Sequence, residues 1–532
     1  MTSPYPIDEA RLYNATRFAD DDLPEGSVID CAQARLPIDE AYDFVVIGSG
    51  AAGAVAAHEL ASAGYSVAIA EEGPYIRTRE FKKEVGSAFL KLFRDGSFQA
   101  LEGRVFMPVI QGRCVGGTTV VNSAIAWRTP EDVIDEWNAQ FGLGGAITSR
   151  AFEPHFEALE RDLNVHAVVD EILGGNNALF LKQAAAVGLH PTRIKRYERG
   201  CKGTTQCLTG CPTAAKQGMN VTYVPWTLAL GGRLFCNYRV ERIELAGGRA
   251  VGVIGSAQNP NGKGTVRLRA KRGVILAAST VQSPNILRRS GVRNKHLGQH
   301  FQTHPGCGMG AVLDQDVNMY FGATQGAESI HLRASDRIKF ETIAMNPELV
   351  PVRCPGLGVD LVRRIGNARH LAIWVTILRS QAEGTVSQGW TGRDRVVFSP
   401  TKSDMEHVRA GQVYLARMMF DAGAREVWPG IYGLPPVLTS PDHVKLVEEA
   451  PLEPRAYTFI ASHLFGAARM APQASGGVVD TTFAVHGLPN LFLVDSSVFP
   501  TNLGVNPQHS IMAMSRLATH RIVDSPPLQA LA

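Results

Sequence analysis

The stretch Tyr42–Gly53, which reads YDFVVIGSGAAG, decides how the first part of this chain folds. Its apolar run FVVI predicts a strand that is buried on both faces. The glycines that follow have the spacing G-x-G-x-x-G, and the next segment, AVAAHELASAG, favours a helix. A second apolar run, SVAIA, leads to Glu71, about 20 residues after the first glycine. A strand, a glycine turn, a helix, a second strand and an acid in this order predict a dinucleotide site.

Each residue of this motif has a physical role in binding a dinucleotide. Gly48 permits the tight turn, Gly50 lets a pyrophosphate approach the backbone, and Gly53 lets the helix pack closely against the strand. The N-terminus of the helix offers oriented N–H groups to the phosphates. Glu71 stands where a carboxylate that binds the ribose is expected.

The composition excludes several classes of protein. A chain of 532 residues has room for two to four domains, and a net charge of +3 does not suggest nucleic acid as a partner. We expect no membrane span, because no uncharged apolar run approaches about 20 residues, although a peripheral contact with a membrane remains open. The first residues are acidic and lack the apolar core of a signal peptide, so we expect a cytoplasmic protein.

The strand patterns change along the chain. Residues 233–278 alternate like strands, with turns expected at Gly247-Gly248 and Asn261-Gly262. Between about residues 303 and 400, runs such as HLAIWVTIL and RVVFSP indicate an antiparallel sheet. The last part, 487–522, returns to an apolar strand, LFLVD, and a helix, HSIMAMSRLATHRIV. We therefore predict a combined α/β and α+β fold, with a Rossmann-like nucleotide domain beside a domain built on an antiparallel sheet.

Four further segments extend the first motif. They are GRCVGGTTVVN (112–122), GVILAASTVQSPNILRRSGV (273–292), SHLFGAARM (462–470) and NLFLVDSSVFPTNLGVNP (490–507). Together with the glycine motif, and in this order, they resemble the glucose–methanol–choline (GMC) family of flavin oxidoreductases. The resemblance covers nearly the whole chain, from about Tyr42 to Val523.

The resemblance implies FAD as the cofactor and assigns its contacts. The positions that match FAD-binding residues of the family are Gly48, Gly50, Gly53, Glu71, Gly116, Gly117, Thr118, Asn122, Val240 and Asp495. Some family members bond FAD covalently through a His just before the Asn of the second glycine segment. This chain has Val121 there, so we expect the FAD to be noncovalent.

The resemblance also implies a catalytic pair. His463 matches the active-site histidine of the family, and Asn506 matches a position filled by a second His or by Asn. Oxidation of an alcohol removes a hydroxyl proton, which a neutral imidazole can accept, and a hydride, which flavin N5 can accept. Asn506 can hydrogen-bond the same oxygen. By contrast, we expect His304 to be structural and His509 to face another side of this region.

The second glycine segment and CPTAAKQG look most like the branch of the family that oxidises long-chain or bulky alcohols. We therefore expect a small-molecule alcohol of hydrophobic character as substrate, and oxygen, a quinone or another carrier as electron acceptor. Cyanohydrin cleavage or light-driven fatty-acid decarboxylation on the same scaffold remains an alternative. So do a non-catalytic flavin electron-transfer subunit and a nicotinamide dehydrogenase.

Two interleaved domains are expected. We predict that residues 1–140, 201–300 and 471–532 form the FAD-binding domain, and that 141–200 and 301–470 form the substrate-binding domain.

Cys201, Cys207 and Cys211 form the pattern C-x5-C-x3-C-P. Three thiols so close together can bind zinc or an iron–sulfur cluster, but the spacing lacks the C-x2-C pairs of strong metal sites. We expect no metal here, with the thiols free or in a disulfide within the loop.

Overall fold

A computed structural model describes residues 18–82, 84–257 and 264–525. The strands in these residues are β1 (Val28–Asp30), β2 (Ile38–Ile47), β3 (Val67–Ala70), β4 (Ala100–Leu101), β5 (Met107–Pro108), β6 (Val165–Ala167), β7 (Thr192–Arg193), β8 (Lys195–Tyr197), β9 (Arg233–Cys236), β10 (Tyr238–Ala246), β11 (Arg249–Ala257), β12 (Thr265–Leu276), β13 (Gln302–Leu313), β14 (Ala327–Ser329), β15 (Ile338–Thr342), β16 (Leu371–Leu378), β17 (Thr385–Gln388), β18 (Asp394–Val397), β19 (Ala424–Trp428), β20 (Phe459–Phe465), β21 (Ala484–Val485) and β22 (Leu488–Leu493). The α-helices are α1 (Ala51–Ser62), α2 (Val85–Leu92), α3 (Glu131–Phe141), α4 (Ser149–Asp162), α5 (Gly175–Ala186), α6 (Tyr223–Ala229), α7 (Gln282–Arg289), α8 (Gly358–Gly366), α9 (Lys402–Asp421), α10 (Val444–Glu448) and α11 (Gln508–Asp524).

The first sheet is the predicted nucleotide-binding sheet. Its order is β1–β9–β3–β2–β12–β11–β10, with β22 paired to β12 and β21 paired to β22. The strands β1, β9, β3, β2, β12 and β22 run parallel, while β10 and β11 form an antiparallel hairpin. Because parallel strands end at the same edge, the segments after β2, β3, β12 and β22 come together there.

Helix α1 connects β2 to β3 and lies across this sheet. It is rich in alanine, a strong helix former, and eight of its twelve residues are buried. Its small side chains let α6 and α11 pack closely on it, within one apolar core. The glycine motif is thereby fixed between the sheet and two helices.

The second sheet is antiparallel, with the order β19–β13–β16–β15–β14–β7 and β20 paired to β13. Helix α9 covers one face, where Gln412 Nε2 donates to Thr376 Oγ1 at 2.9 Å. Thr401 caps this helix and accepts a hydrogen bond from the backbone N–H of Asp404. The opposite face of the sheet is left to form a wall of the cavity described below.

The predicted fold class is confirmed, and most of the strand patterns match. HLAIWVTIL contains β16, LFLVD contains the second half of β22, and Gly247-Gly248 joins β10 to β11. RVVFSP differs, because its strand β18 pairs with β17 in a separate two-stranded sheet. The expected turn at Asn261-Gly262 lies outside the described residues. None of the helices in the described residues has the length and apolar content that crossing a membrane requires.

The division of the chain into domain ranges stays a proposal. The range 141–200 is predicted to belong with the antiparallel sheet, but its helices divide between two apolar cores. Phe152 and Phe156 of α4 are buried with the first sheet, whereas Leu179 and Phe180 of α5 are buried with the second. The packing therefore favours a boundary inside this range rather than at residue 141.

Candidate active site between the two sheets

A cavity of about 490 Å³ lies between the two sheets. One end is formed by the carboxyl edge of the parallel strands, at Ile47, Ala70 and Ala277. The other end is formed by the free face of the antiparallel sheet. The predicted cofactor and catalytic residues that line the cavity are Gly48, Gly50, Glu71, Gly117, Thr118, Asn122, Val240, Asp495, His463 and Asn506.

Two glycines of the turn after β2, Gly48 and Gly53, have no room for a side chain. Gly48 has a φ of +99°, and a Cβ atom on it would lie 2.4 Å from the carbonyl oxygen of Ala277. A Cβ atom on Gly53 would lie 1.9 Å from the carbonyl oxygen of Gly48, so Gly53 sits behind the cavity wall and holds the helix against the turn. Gly50 is the N-cap of α1 and makes no side-chain cap, which leaves the first N–H groups of the helix directed at the cavity.

Glu71, at the end of β3, is buried and tied to the glycine turn. Its Oε2 accepts hydrogen bonds from the backbone N–H of Ser49 at 3.0 Å and from Ser49 Oγ at 2.7 Å. Its Oε1 accepts one from Gly73 N–H at 2.9 Å. Burial raises the pKa of Glu71 above its ordinary value, although these hydrogen bonds oppose the shift.

The second glycine segment packs directly on the first. Gly116 has a φ of +93° and donates its N–H to Ser49 Oγ at 3.0 Å, which places it behind the cavity wall. Gly117 faces Gly50, and a Cβ atom on Gly117 would lie 3.0 Å from the Cα of Gly50. Asn122 follows the short 3₁₀ turn Gly117–Val120 and donates through Nδ2 to Gln508 Oε1. The two glycine segments thus form one continuous floor.

Asp495 closes the same edge after β22, but its carboxylate is already occupied. One oxygen accepts hydrogen bonds from Ser279 N–H at 2.9 Å and from Ser283 Oγ at 2.5 Å. The other accepts from Ser497 N–H at 2.9 Å and Ser497 Oγ at 2.5 Å. Asp495 therefore joins the loop after β12 to the loop after β22. Burial raises its pKa above the ordinary value.

His463 and Asn506 meet at the far end of the cavity. His463 lies on β20, Asn506 lies just before α11, and His463 Nε2 is 3.5 Å from Asn506 Nδ2. Burial lowers the pKa of His463 to about 4. The imidazole is therefore neutral at physiological pH, which is the state that can accept a proton.

A second histidine, His304, contacts His463. Sequence reasoning missed this contact. His304 lies on β13, the neighbour of β20, and its Nδ1 is 3.1 Å from Nδ1 of His463. Its Nε2 lies 3.0 Å from Asn502 Oδ1, and the backbone N–H of Gly504 also approaches it at 2.9 Å. These two contacts favour opposite tautomers of His304, since one ring nitrogen cannot donate to Asn502 and accept from Gly504 at once. In the tautomer that donates to Asn502, His304 Nδ1 accepts from His463 Nδ1–H, and His463 Nε2 is the acceptor that faces the cavity.

Sequence reasoning also missed a buried charged cluster beside Asn506. Lys339 and Glu341 lie on β15 and Glu328 lies on β14, and all three side chains are almost fully buried. Glu341 lines the cavity together with Asn506. The only signal in the sequence is the alternation of charged and apolar residues in IKFET, which by itself is typical of a strand whose charged face is in water.

His509 points away from the cavity. Its Nε2 lies 3.3 Å from Glu160 Oε1 of α4, and its ring packs on Phe156 and Tyr197. This placement agrees with the expectation that it faces another side of the region.

The three clustered cysteines are free thiols in this structure. Cys207 Sγ accepts a hydrogen bond from Arg196 Nη2 at 3.2 Å, and within the described residues no group of three or more His, Cys, Asp or Glu side chains could hold a metal ion. Lys216 Nζ donates to the backbone oxygens of Cys207 and Asn122, at 2.7 and 2.8 Å, and so ties this loop to the floor of the cavity. The absence of a metal in solution stays a prediction.

Comparison with known proteins agrees with this architecture. The N-terminal and C-terminal models of the GMC oxidoreductase family match residues 42–306 and 384–515. An uncharacterized GMC-type oxidoreductase of Mycobacterium tuberculosis is 33% identical over 92% of this chain and 77% of its own length. Long-chain-alcohol oxidase FAO1 of Arabidopsis thaliana is 26% identical over 91% of this chain and 66% of its own length. A formate oxidase of Aspergillus oryzae, solved to study modification of its FAD, superimposes with a TM-score of 0.70 at 16% identity, covering 92% of this chain and 99% of that one. The chain belongs to the GMC oxidoreductase family.

Proposed function

We propose that the chain binds one FAD noncovalently in the cavity between the sheets. The uncapped N-terminus of α1 would hold the pyrophosphate, Glu71 the ribose of the ADP half, and Val240 the adenine side. Gly117, Thr118 and Asn122 would line the isoalloxazine side, and Asp495 would organise the loops near the ribityl chain. When bound, FAD supplies a hydride acceptor.

The substrate that we propose is a hydrophobic alcohol. Beyond the His463–Asn506 pair, the antiparallel sheet and the segment after β15 present apolar side chains to the cavity: Ile343, Met345, Leu349, Ile373, Val375, Ile377 and Ile460. Such a wall binds an aliphatic or fused-ring body better than a sugar, whose many hydroxyl groups would lose their hydrogen bonds to water against these apolar side chains. The similarity to a long-chain-alcohol oxidase supports the same choice.

The geometry of His463 and Asn506 supports the catalytic roles that we propose for them. His463 Nε2 accepts the hydroxyl proton of the alcohol, and the His304 tautomer that donates to Asn502 would accept from His463 Nδ1–H and so leave Nε2 without a proton. Asn506 Nδ2 donates a hydrogen bond to the same oxygen and so orients the carbinol carbon. The single observation that carries this proposal is that a buried, neutral imidazole and a carboxamide meet in the cavity that begins at the glycine turn.

The noncovalent state can be tested directly. We expect the purified protein to be yellow and acid precipitation to release the chromophore, because Val121 offers no nucleophile where related enzymes carry a linking histidine. The absorbance spectra of supernatant and pellet measure this. Colour that stays with the pellet would contradict the noncovalent state, and a colourless protein that takes up no FAD would contradict the cofactor itself.

Anaerobic titration with alcohols tests the reaction. We expect primary alcohols of increasing chain length, or a sterol, to bleach the visible flavin absorbance, and glucose to leave it unchanged, because the cavity wall is apolar. Admitting air, or a quinone under argon, then shows which acceptor restores the colour. A flavin that no alcohol reduces would favour an electron-transfer subunit. Turnover without flavin reduction would favour cyanohydrin cleavage, and turnover only in light would favour decarboxylation.

A further inference from the structure

Lys339 directs its ammonium group at Asn506 from inside the protein. The side chain is fully buried, and its Nζ contacts three acceptors: Glu328 Oε2 at 2.7 Å, Glu341 Oε1, and Asn506 Oδ1. An ammonium group has three N–H donors, so each of them has a partner. A lysine is almost never buried so completely without paired charges.

The two carboxylates are themselves held in place. Glu328 lies directly opposite Glu341 in the antiparallel pair of β14 and β15, and Lys339 is two residues before Glu341 on the same face. Trp127 Nε1 donates to Glu328 at 2.8 Å, and Gln325 Nε2 donates to Glu341 at 2.9 Å. The ammonium group is therefore fixed from two sides, and its third N–H is directed at Asn506.

This contact decides which way the carboxamide of Asn506 faces. Since Oδ1 accepts from a cation, Nδ2 must point the other way, toward His463 Nε2 and the cavity. We propose that Lys339 is a positioning residue for Asn506, which keeps the NH₂ group of the amide available to the substrate oxygen. The inference rests on the proposed function, in which Asn506 donates to that oxygen.

The contact also strengthens the donor. A positive charge at Oδ1 draws electron density from the amide nitrogen, so Nδ2–H binds more strongly to an oxygen that gains negative charge as its proton leaves. Without Lys339 the amide can rotate and present Oδ1, which cannot donate. We expect Lys339→Met to slow flavin reduction by about 10- to 100-fold, as is usual when a group that orients a catalytic residue is lost.

A double-mutant cycle separates positioning from a merely structural role. The rate constant of anaerobic flavin reduction by 1-dodecanol is measured for the FAD-loaded wild type, Lys339→Met, Asn506→Ala and the double variant. If Lys339 acts through Asn506, Lys339→Met has little further effect in the Asn506→Ala background. An equal slowing in both backgrounds would overturn the proposal. So would an Asn506→Ala variant that reacts at the wild-type rate.

Lys339→Met leaves two carboxylates buried without their cation, which can prevent this variant from folding. A second variant keeps the test valid in that case. Lys339→Met/Glu328→Gln/Glu341→Gln removes all three charges and is used in the same cycle. The control is Arg364→Met, which removes a buried cation from the ion pair with Glu426 (2.7 Å) and whose effect should be additive with Asn506→Ala. If no alcohol reduces the flavin of the wild-type protein, the proposed function itself is contradicted. If the enzyme is active but the effects of Lys339→Met and Asn506→Ala on the rate constant are additive, only this inference is contradicted.

Discussion

His463→Ala should slow flavin reduction by an alcohol by about 10²–10⁴-fold, the usual loss when a positioned general base is removed. FAD should stay bound, because the residues proposed to hold the ADP half lie at the other end of the cavity. Asn506→Ala should slow the reaction less, since the proton acceptor remains and one hydrogen bond is lost. Stopped-flow absorbance of the anaerobic enzyme measures both. A wild-type rate in His463→Ala would show that another group takes the proton.

The same assignment fixes the sign of the pH dependence. Only the neutral imidazole can accept the proton, and burial lowers the pKa of His463 to about 4. The wild-type rate constant should therefore be level near neutral pH and fall as the pH drops through about 4, with the visible spectrum at each pH confirming that FAD is still bound. A fall centred near the ordinary histidine value of about 6.5 would contradict the buried environment of His463.

Gly53→Ala should yield protein with little FAD and a lower melting temperature. The new Cβ atom would lie 1.9 Å from the carbonyl oxygen of Gly48 and 3.3 Å from the Cβ of Ala277, and the nearer contact is with backbone that cannot simply rotate away. Helix α1 must shift outward, which moves the turn that would contact the pyrophosphate and costs about 1–3 kcal/mol or more in packing. Flavin content after purification and thermal unfolding measure the two effects.

Gly86→Ala is the matched control for this substitution. Gly86 lies within α2, and a Cβ atom there would meet no atom within 4 Å. Since Ala is the better helix former by about 1 kcal/mol, this variant should keep its FAD and melt at the same or a slightly higher temperature. Equal loss of flavin in both variants would show that the close contact at Gly53 is not the cause.

The nucleotide half of this protein could be predicted because its signals are local. The strand, turn, helix and acid of 42–71 follow one another in the chain, and the backbone demands of such a turn select glycine at fixed spacing. The presence of an antiparallel sheet could be predicted from its strand patterns. The order of its strands could not be predicted, because strand pairing is set by packing between distant segments. The position of β18 in a separate sheet shows this limit.

The surroundings of the proposed catalytic pair were decided by tertiary structure alone. His463 and Asn506 were predicted because family motifs mark them, whereas no local pattern marks His304 or Lys339. His304 meets His463 across 159 residues, through strands that become neighbours only in the folded sheet, and Lys339 on β15 meets Asn506 in the loop before α11 across 167 residues. Burial lowers the pKa of His463, and a buried ammonium orients the amide of Asn506. The sequence by itself thus determined which residue types the site contains, and only the tertiary structure decided their protonation and orientation, because both depend on desolvation and on contacts between distant parts of the chain.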